Sequence, residues 1–220
     1  MTKKYIIESI VLAIVLTALS YVVGLQASWI TELNWLEVFA VFTSYSCTWL
    51  CTRQSRWNYP VGVVTTAAYS LLFWQWSMTA LAIFNIYLVV SLAYGWFRWG
   101  ADTKTRRVTR IPKVWYTAYG VVGLAILALF LYANQLFNPT GITELNPIDV
   151  GLAVASGVAQ LMLDNKKLEN WTVWALINIV SIPFFMYSGL TLVAFQYVFF
   201  LANTVIGHVQ WKRTMETANA

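Results

Sequence analysis

The stretch Glu169-Asn170-Trp171-Thr172-Val173-Trp174-Ala175-Leu176-Ile177-Asn178-Ile179-Val180 passes from charge straight into an apolar run and carries two tryptophans and an asparagine with it. Asn178 follows Trp174 by four residues, so on a helix the amide and the indole share one face. An amide carries both donors and acceptors that need partners. In an apolar helix such a group is tolerated where it faces a bundle interior or a watered cavity rather than acyl chains. The stretch therefore predicts a membrane-spanning helix with a polar face turned towards other helices.

The rest of the chain agrees with that setting. Of 220 residues, 59% are hydrophobic and 10% are charged, against about a quarter charged in a soluble domain. Eight segments are apolar enough to be read as spans once polar residues are allowed to line an interior: roughly 6–25, 35–52, 59–76, 79–99, 114–133, 149–163, 171–187 and 190–211. The basic start followed by a long apolar run without a small-x-small site predicts a retained helix rather than a cleaved signal. With eight spans and the N-terminus inside, all 14 lysines and arginines fall on cytoplasmic segments, as the positive-inside rule requires. The basic run RWGADTKTRRVTRIPK then faces anionic lipid and not nucleic acid. Cys47 and Cys51, one turn apart and with no further cysteine, form neither a zinc site nor a disulfide framework and are expected to pack as thiols.

Two blocks share a pattern. Leu36-Glu37-Val38 with Ser44 matches Ile148-Asp149-Val150 with Ser156, Trp57 matches Trp171, and the G-x-x-x-W of Gly95 and Trp99 recurs at Gly207 and Trp211. Each block holds three helices, and the single helix between them returns the chain so that both begin on the outer face. That predicts a parallel repeat with its pseudo-two-fold along the membrane normal, a geometry in which transporters bind substrate between the halves. The expected fold is an all-α membrane protein of eight transmembrane helices. It divides into an N-terminal helix and outer loop (1–34), a first triplet (35–99), a basic loop, linking helix and outer loop (100–148), a second triplet (149–213) and a tail (214–220).

Intramembrane polar side chains are functional candidates. The second block offers Gln160, Asn178, Gln196 and Asn203; the first offers Asn85, Tyr69, Thr65, Thr66 and Gln75. Trp171, Trp174, Trp49 and Trp74 fall among them, whereas Trp29, Trp35, Trp76, Trp96, Trp99, Trp115 and Trp211 are expected in interfacial belts. Amides beside indole faces suit a polar aromatic solute, uncharged or weakly cationic, with a cation–π gain of roughly 0.5–2 kcal/mol. The same amides also serve a scaffold or receptor, as helix-to-helix bonds of about 0.6 kcal/mol each. All nine acidic residues are expected near helix ends, in loops or in the tail, with Glu37 and Asp149 favoured at their own helix N-termini. The chain has no phosphate loop and no triad or metal motif, so no enzyme and no cofactor is expected.

The segments WNYPVGVVTTAAYSLLFW, FNIYLVVSLAYGWFRW, VAQLMLDNKKLENWTVWALINIV and LTLVAFQYVFFLANTVIGHVQW resemble the Pnu family of vitamin-precursor transporters, most closely its nicotinamide riboside branch, called PnuC. The resemblance spans about residues 35–213 and is most specific in K-x-x-E-N-W-x-x-W-x-x-x-N, at Lys166 to Asn178. It implies a three-plus-one-plus-three fold related to the SWEET transporters with an extra N-terminal helix. It further implies facilitated diffusion of the riboside across a bacterial inner membrane, trapping by a cytoplasmic riboside kinase, and a homo-oligomer in the form of a trimer. On this resemblance Trp174 and Trp171 would stack the ring, Asn178 and Gln160 would bond its carboxamide or ribose, and Gln196 and Asn203 would bond hydroxyls. Trp49, Tyr69, Trp74 and Asn85 would supply the facing block. Relatives that carry thiamine or other nucleosides stay open as alternatives.

Overall fold

The structure is a computed structural model that describes residues 2–30, 32–100, 107–137 and 146–218; Lys104 and Arg106 of the basic loop, and most of the expected outer loop after the linking helix, lie outside them. Eight α-helices follow one another: α1 (Thr2–Gln26), α2 (Trp35–Thr52), α3 (Asn58–Gln75), α4 (Thr79–Trp99), α5 (Tyr116–Phe137), α6 (Pro147–Asp164), α7 (Asn170–Tyr187) and α8 (Thr191–Thr217). Six are long and apolar enough to cross a membrane. The other two, α2 and α3, are 18 residues each and carry polar residues on buried faces, among them Ser44, Ser46, Thr65 and Thr66.

Contacts between helices close a ring. Within each triplet the helices pack in order, α2 on α3 on α4 and α6 on α7 on α8, while α4 meets α6 and α2 meets α8. The first helix lies outside the ring against α2 and α8, and α5 lies outside against α4 and α6.

Capping explains how the ring is joined. Asn34 and Asn146 cap their own helices: the Asn34 side chain accepts from the backbone N–H of Leu36 and Glu37 at 3.0 and 3.2 Å, and Asn146 accepts from Ile148 at 2.9 Å. In contrast α4 and α8 begin after tight turns, with Ser77 at φ 57 and Gly189 at φ 82, and their N-cap residues Met78 and Leu190 make no side-chain cap. Unpaired N–H groups in a helix's first turn attract anions. Here the other triplet supplies them. The Asp149 carboxylate accepts from the N–H of Ala80 and Leu81 at 3.1 and 3.0 Å, and Glu37 accepts from Val193 at 3.3 Å. Glu37 and Asp149 thus serve the helices facing them rather than only their own. Both acceptors, and both recipients Leu81 and Val193, are separated by an offset of 112 residues.

The opposite end of the bundle carries contacts at the same offset. Tyr59 packs edge-on against Trp99 at 5.3 Å and 87°, and Trp171 against Trp211 at 5.3 Å and 89°. A Cβ on Gly95 would run into the Tyr59 ring, and one on Gly207 would lie 2.5 Å from the Trp171 ring, so the close approach requires glycine at both places. Trp99 and Trp211 are fully buried and adjoin each other at 6.1 Å. They are packing residues and not members of an interfacial belt. The residue occupying in α3 the place of Trp171 is Tyr59, whereas Trp57 is turned outward onto Trp96. Gln54 and Lys166, both at positive φ, meet through Lys166 Nζ donating to Gln54 Oε1 at 3.2 Å. Lys166 also lies over the Trp99 ring at 4.8 Å, and its burial pushes its ammonium below the ordinary lysine range. Glu169 of the K-x-x-E-N-W motif binds the incoming linker, accepting from Ile111 N–H at 3.0 Å, and Thr109 bridges Lys167.

Replacing Asp149 with alanine leaves two buried backbone donors without a partner, at a cost of roughly 2–4 kcal/mol. Unfolding of detergent-purified Asp149→Ala should show that loss, while Glu32→Ala, exposed at the same end, should be neutral. Equal stability of the two variants would contradict the cap.

Candidate functional site

The ring encloses a cavity of about 190 Å³ to which all six of its helices contribute. Most of the wall is apolar, and much of the polar wall is already satisfied within its own helix. Ser44 donates to Val41 O at 2.9 Å, Thr65 to Val61 O at 2.9 Å and Thr66 to Val63 O at 3.1 Å. Such hydroxyls have spent their one donor and offer a ligand only acceptor lone pairs.

Five side chains differ. Asn178, 1% exposed, has an Oδ1 with no hydrogen-bond partner. Trp174 and Trp171, on the same helix, each leave Nε1 unpartnered. A buried polar atom left unpaired costs about 1–3 kcal/mol, and such atoms beside a cavity mark a place where a ligand supplies the bond. Gln196 is held by Tyr69, whose hydroxyl donates to Oε1, so its Nε2 remains a donor. Across the cavity, Asn85 gives Nδ2 to Leu81 O at 2.8 Å, which leaves its Oδ1 as an acceptor. The cavity therefore presents indole faces, indole donors and amides of both polarities. Among the described residues, no lysine, arginine, aspartate or glutamate lines it.

Of the ten residues nominated from sequence, seven line this cavity: Trp174, Asn178, Gln160, Gln196, Trp171, Tyr69 and Asn85. Three do not. Asn203 shares a face with Gln196 but lies seven residues on, about 10 Å along the helix, where Oδ1 accepts from Thr52 at 3.0 Å and ties α8 to α2. Trp49 stacks on Arg53, whose guanidinium lies 4.5 Å from its ring centre and also over the ring of Tyr5 on the first helix. Trp74 is 57% exposed on the outer face of α3.

Sequence reasoning missed Asp164. It stands at a helix end, as the last residue of α6, where the acidic residues were expected, yet it is 0% exposed. Its neighbours α3 and α4 enclose it, and Tyr59, Ser91 and Gln160 donate to its carboxylate at 3.1, 2.9 and 2.9 Å. The signal was available: Gln160 and Asp164 lie four residues apart on one helical face. Among the described residues, no group of three or more His, Cys, Asp or Glu side chains is placed to hold a metal.

Known proteins share this architecture. A family model described as nicotinamide mononucleotide transporter matches residues 34–213. The nicotinamide riboside transporter PnuC of Escherichia coli K12 is 22% identical over 205 residues, covering 82% of this chain and 86% of the relative. Its Haemophilus influenzae namesake is 25% identical over 197 residues, covering 84% and 83%. Among solved structures, that of a vitamin B3 transporter, PnuC, superimposes with a TM-score of 0.74 at 16% identity, covering 94% of this chain and 91% of the other.

Unpaired atoms at a ligand site destabilise the empty protein. Asn178→Leu should consequently unfold at or above the wild-type midpoint when no ligand is present. A loss of more than about 2 kcal/mol would show that Asn178 holds helices together.

Proposed function

The chain belongs to the nicotinamide mononucleotide transporter family, and from that premise we propose that it imports nicotinamide riboside by facilitated diffusion. The observation that carries this reading is the set of unpaired Trp174 and Asn178 atoms beside a cavity without a charged lining residue. A pyridinium ring finds indole faces, with a cation–π gain of roughly 0.5–2 kcal/mol. A carboxamide and two ribose hydroxyls find amides of both polarities. A mononucleotide would bring a phosphate that normally recruits arginine, lysine or a helix N-terminus, and the lining offers no cationic side chain for it. The riboside therefore fits the wall better than its phosphate ester does. The names of the relatives agree with that choice.

Several further parts of the account belong to the same proposal. The contacts recurring at one offset support two like-oriented triplets, 35–99 and 149–213, joined by the linking helix. The distribution of basic residues supports eight spans in a bacterial inner membrane with both termini cytoplasmic. With no carboxylate lining the cavity, neither a proton nor sodium has an evident carrier there, so net import rests on a cytoplasmic kinase that removes the riboside. The chain is proposed to work as a homo-oligomer, with a trimer as the form implied by the family resemblance. Affinity in the micromolar range, about −8 kcal/mol, allows release as well as capture.

Purified protein in liposomes should take up labelled nicotinamide riboside without any ion gradient, saturably, with nicotinamide mononucleotide and thiamine as poor competitors. Asn178→Leu should lower that uptake more than tenfold at unchanged abundance. Thiamine as the better competitor would move the substrate to another branch of the family, and no uptake at all would leave a scaffold or receptor.

A further inference from the structure

The orientation of the cavity amide Gln160 is dictated by a carboxyl group. Its Nε2 donates to Asp164 Oδ1 at 2.9 Å. The same carboxylate receives the Tyr59 hydroxyl on Oδ1 at 3.1 Å and the Ser91 hydroxyl on Oδ2 at 2.9 Å, while Trp99 Nε1 donates to the Asp164 backbone oxygen at 3.2 Å. Those bonds reach Asp164 from α3, α4 and α6, and its side chain is fully buried. In every one of these side-chain bonds the Asp164 carboxyl group is the acceptor, on both of its oxygens, and an amide nitrogen donates only. Gln160 is thus unable to flip without setting its oxygen against a carboxylate oxygen. Its Oε1, which receives no hydrogen bond from the described residues, is left as an acceptor on the cavity side.

We infer that Asp164 is a specificity-determining positioning residue: by locking the Gln160 amide it fixes an acceptor in the cavity wall, and so demands a hydrogen-bond donor from the substrate at that point. The inference rests on the riboside proposal and deepens it, since the riboside offers such donors in its carboxamide and its hydroxyls. A site built around a fixed acceptor rejects an analogue that lacks the donor, because the buried acceptor is then left unpaired. Asparagine at position 164 would lift the lock, as its amide can present either oxygen or nitrogen to Gln160.

The test is proteoliposome uptake of nicotinamide riboside and of three analogues, each lacking one donor group: an ester in place of the carboxamide, the 2′-deoxy form and the 3′-deoxy form. Wild-type protein should discriminate against at least one of them by about tenfold or more in KM. Gln160→Leu should erase that discrimination, and Asp164→Asn should reduce it to about threefold or less, with the maximal rate for the parent riboside much less affected. Tyr59→Phe removes one donor from Asp164 but keeps the carboxylate and its bond to Gln160, so it should cost stability and preserve the ratio. Asp164→Asn slowing every substrate alike with the ratio intact would overturn the inference, as would a ratio unchanged in Gln160→Leu. If Asp164→Asn does not fold, the Gln160→Leu and Tyr59→Phe ratios decide between lock and mere support. Absence of riboside uptake by the wild type would instead refute the substrate proposal on which the inference stands.

Discussion

Two carboxylates, each docked on the start of a helix in the opposite triplet, set the geometry of this protein. Helices α4 and α8 begin at tight turns without caps of their own, and in a low-dielectric interior their free N–H groups must find acceptors. Asp149 and Glu37 supply them. Because each acid stands on the first helix of one triplet and serves the last helix of the other, the arrangement fixes how far apart and at what height the triplets meet. A buried acid without those donors would be costly, and the donors without the acids equally so. Each half of the contact therefore enforces the other.

The opposite end is closed by shape rather than charge. Glycines at positions 95 and 207 admit the rings of Tyr59 and Trp171 to the helix backbone, and Trp99 and Trp211 fill the space between. Between carboxylates at one end and rings at the other, the six helices enclose a volume that their own side chains do not fill. Amides placed on that inner wall are either tied, as Gln196 is to Tyr69, or left open, as Asn178 is. The tied ones fix the polarity of the wall, and the open ones leave bonds for a ligand to complete.

How much of this was legible in the sequence depends on whether the determinant was local. Helix positions were legible, since an apolar run and the break that ends it are local properties of the chain. The shared face of Trp174 and Asn178 was legible for the same reason, being a matter of helical period. Asn203 shows the limit of that logic: the period gave its face but not its height, and at its height the partner is Thr52. Trp49 and Trp74 illustrate another, as an indole serves an arginine or lipid as well as it serves a ligand. Asp164 was obscured because a helix end in sequence is not a helix end in space when neighbouring helices run past it. The capping role of Glu37 and Asp149 was half visible: their position at a helix start was read, but the helix they serve lies a whole triplet away.

The central claim is that the open atoms of Trp174 and Asn178 are completed by substrate. An experimental structure of the protein bound to nicotinamide riboside tests it most directly. The account predicts the pyridinium ring against the Trp174 indole, with a substrate donor within about 3 Å of Asn178 Oδ1. A riboside seated elsewhere, with those two side chains still unpaired or bonded to each other, would contradict it.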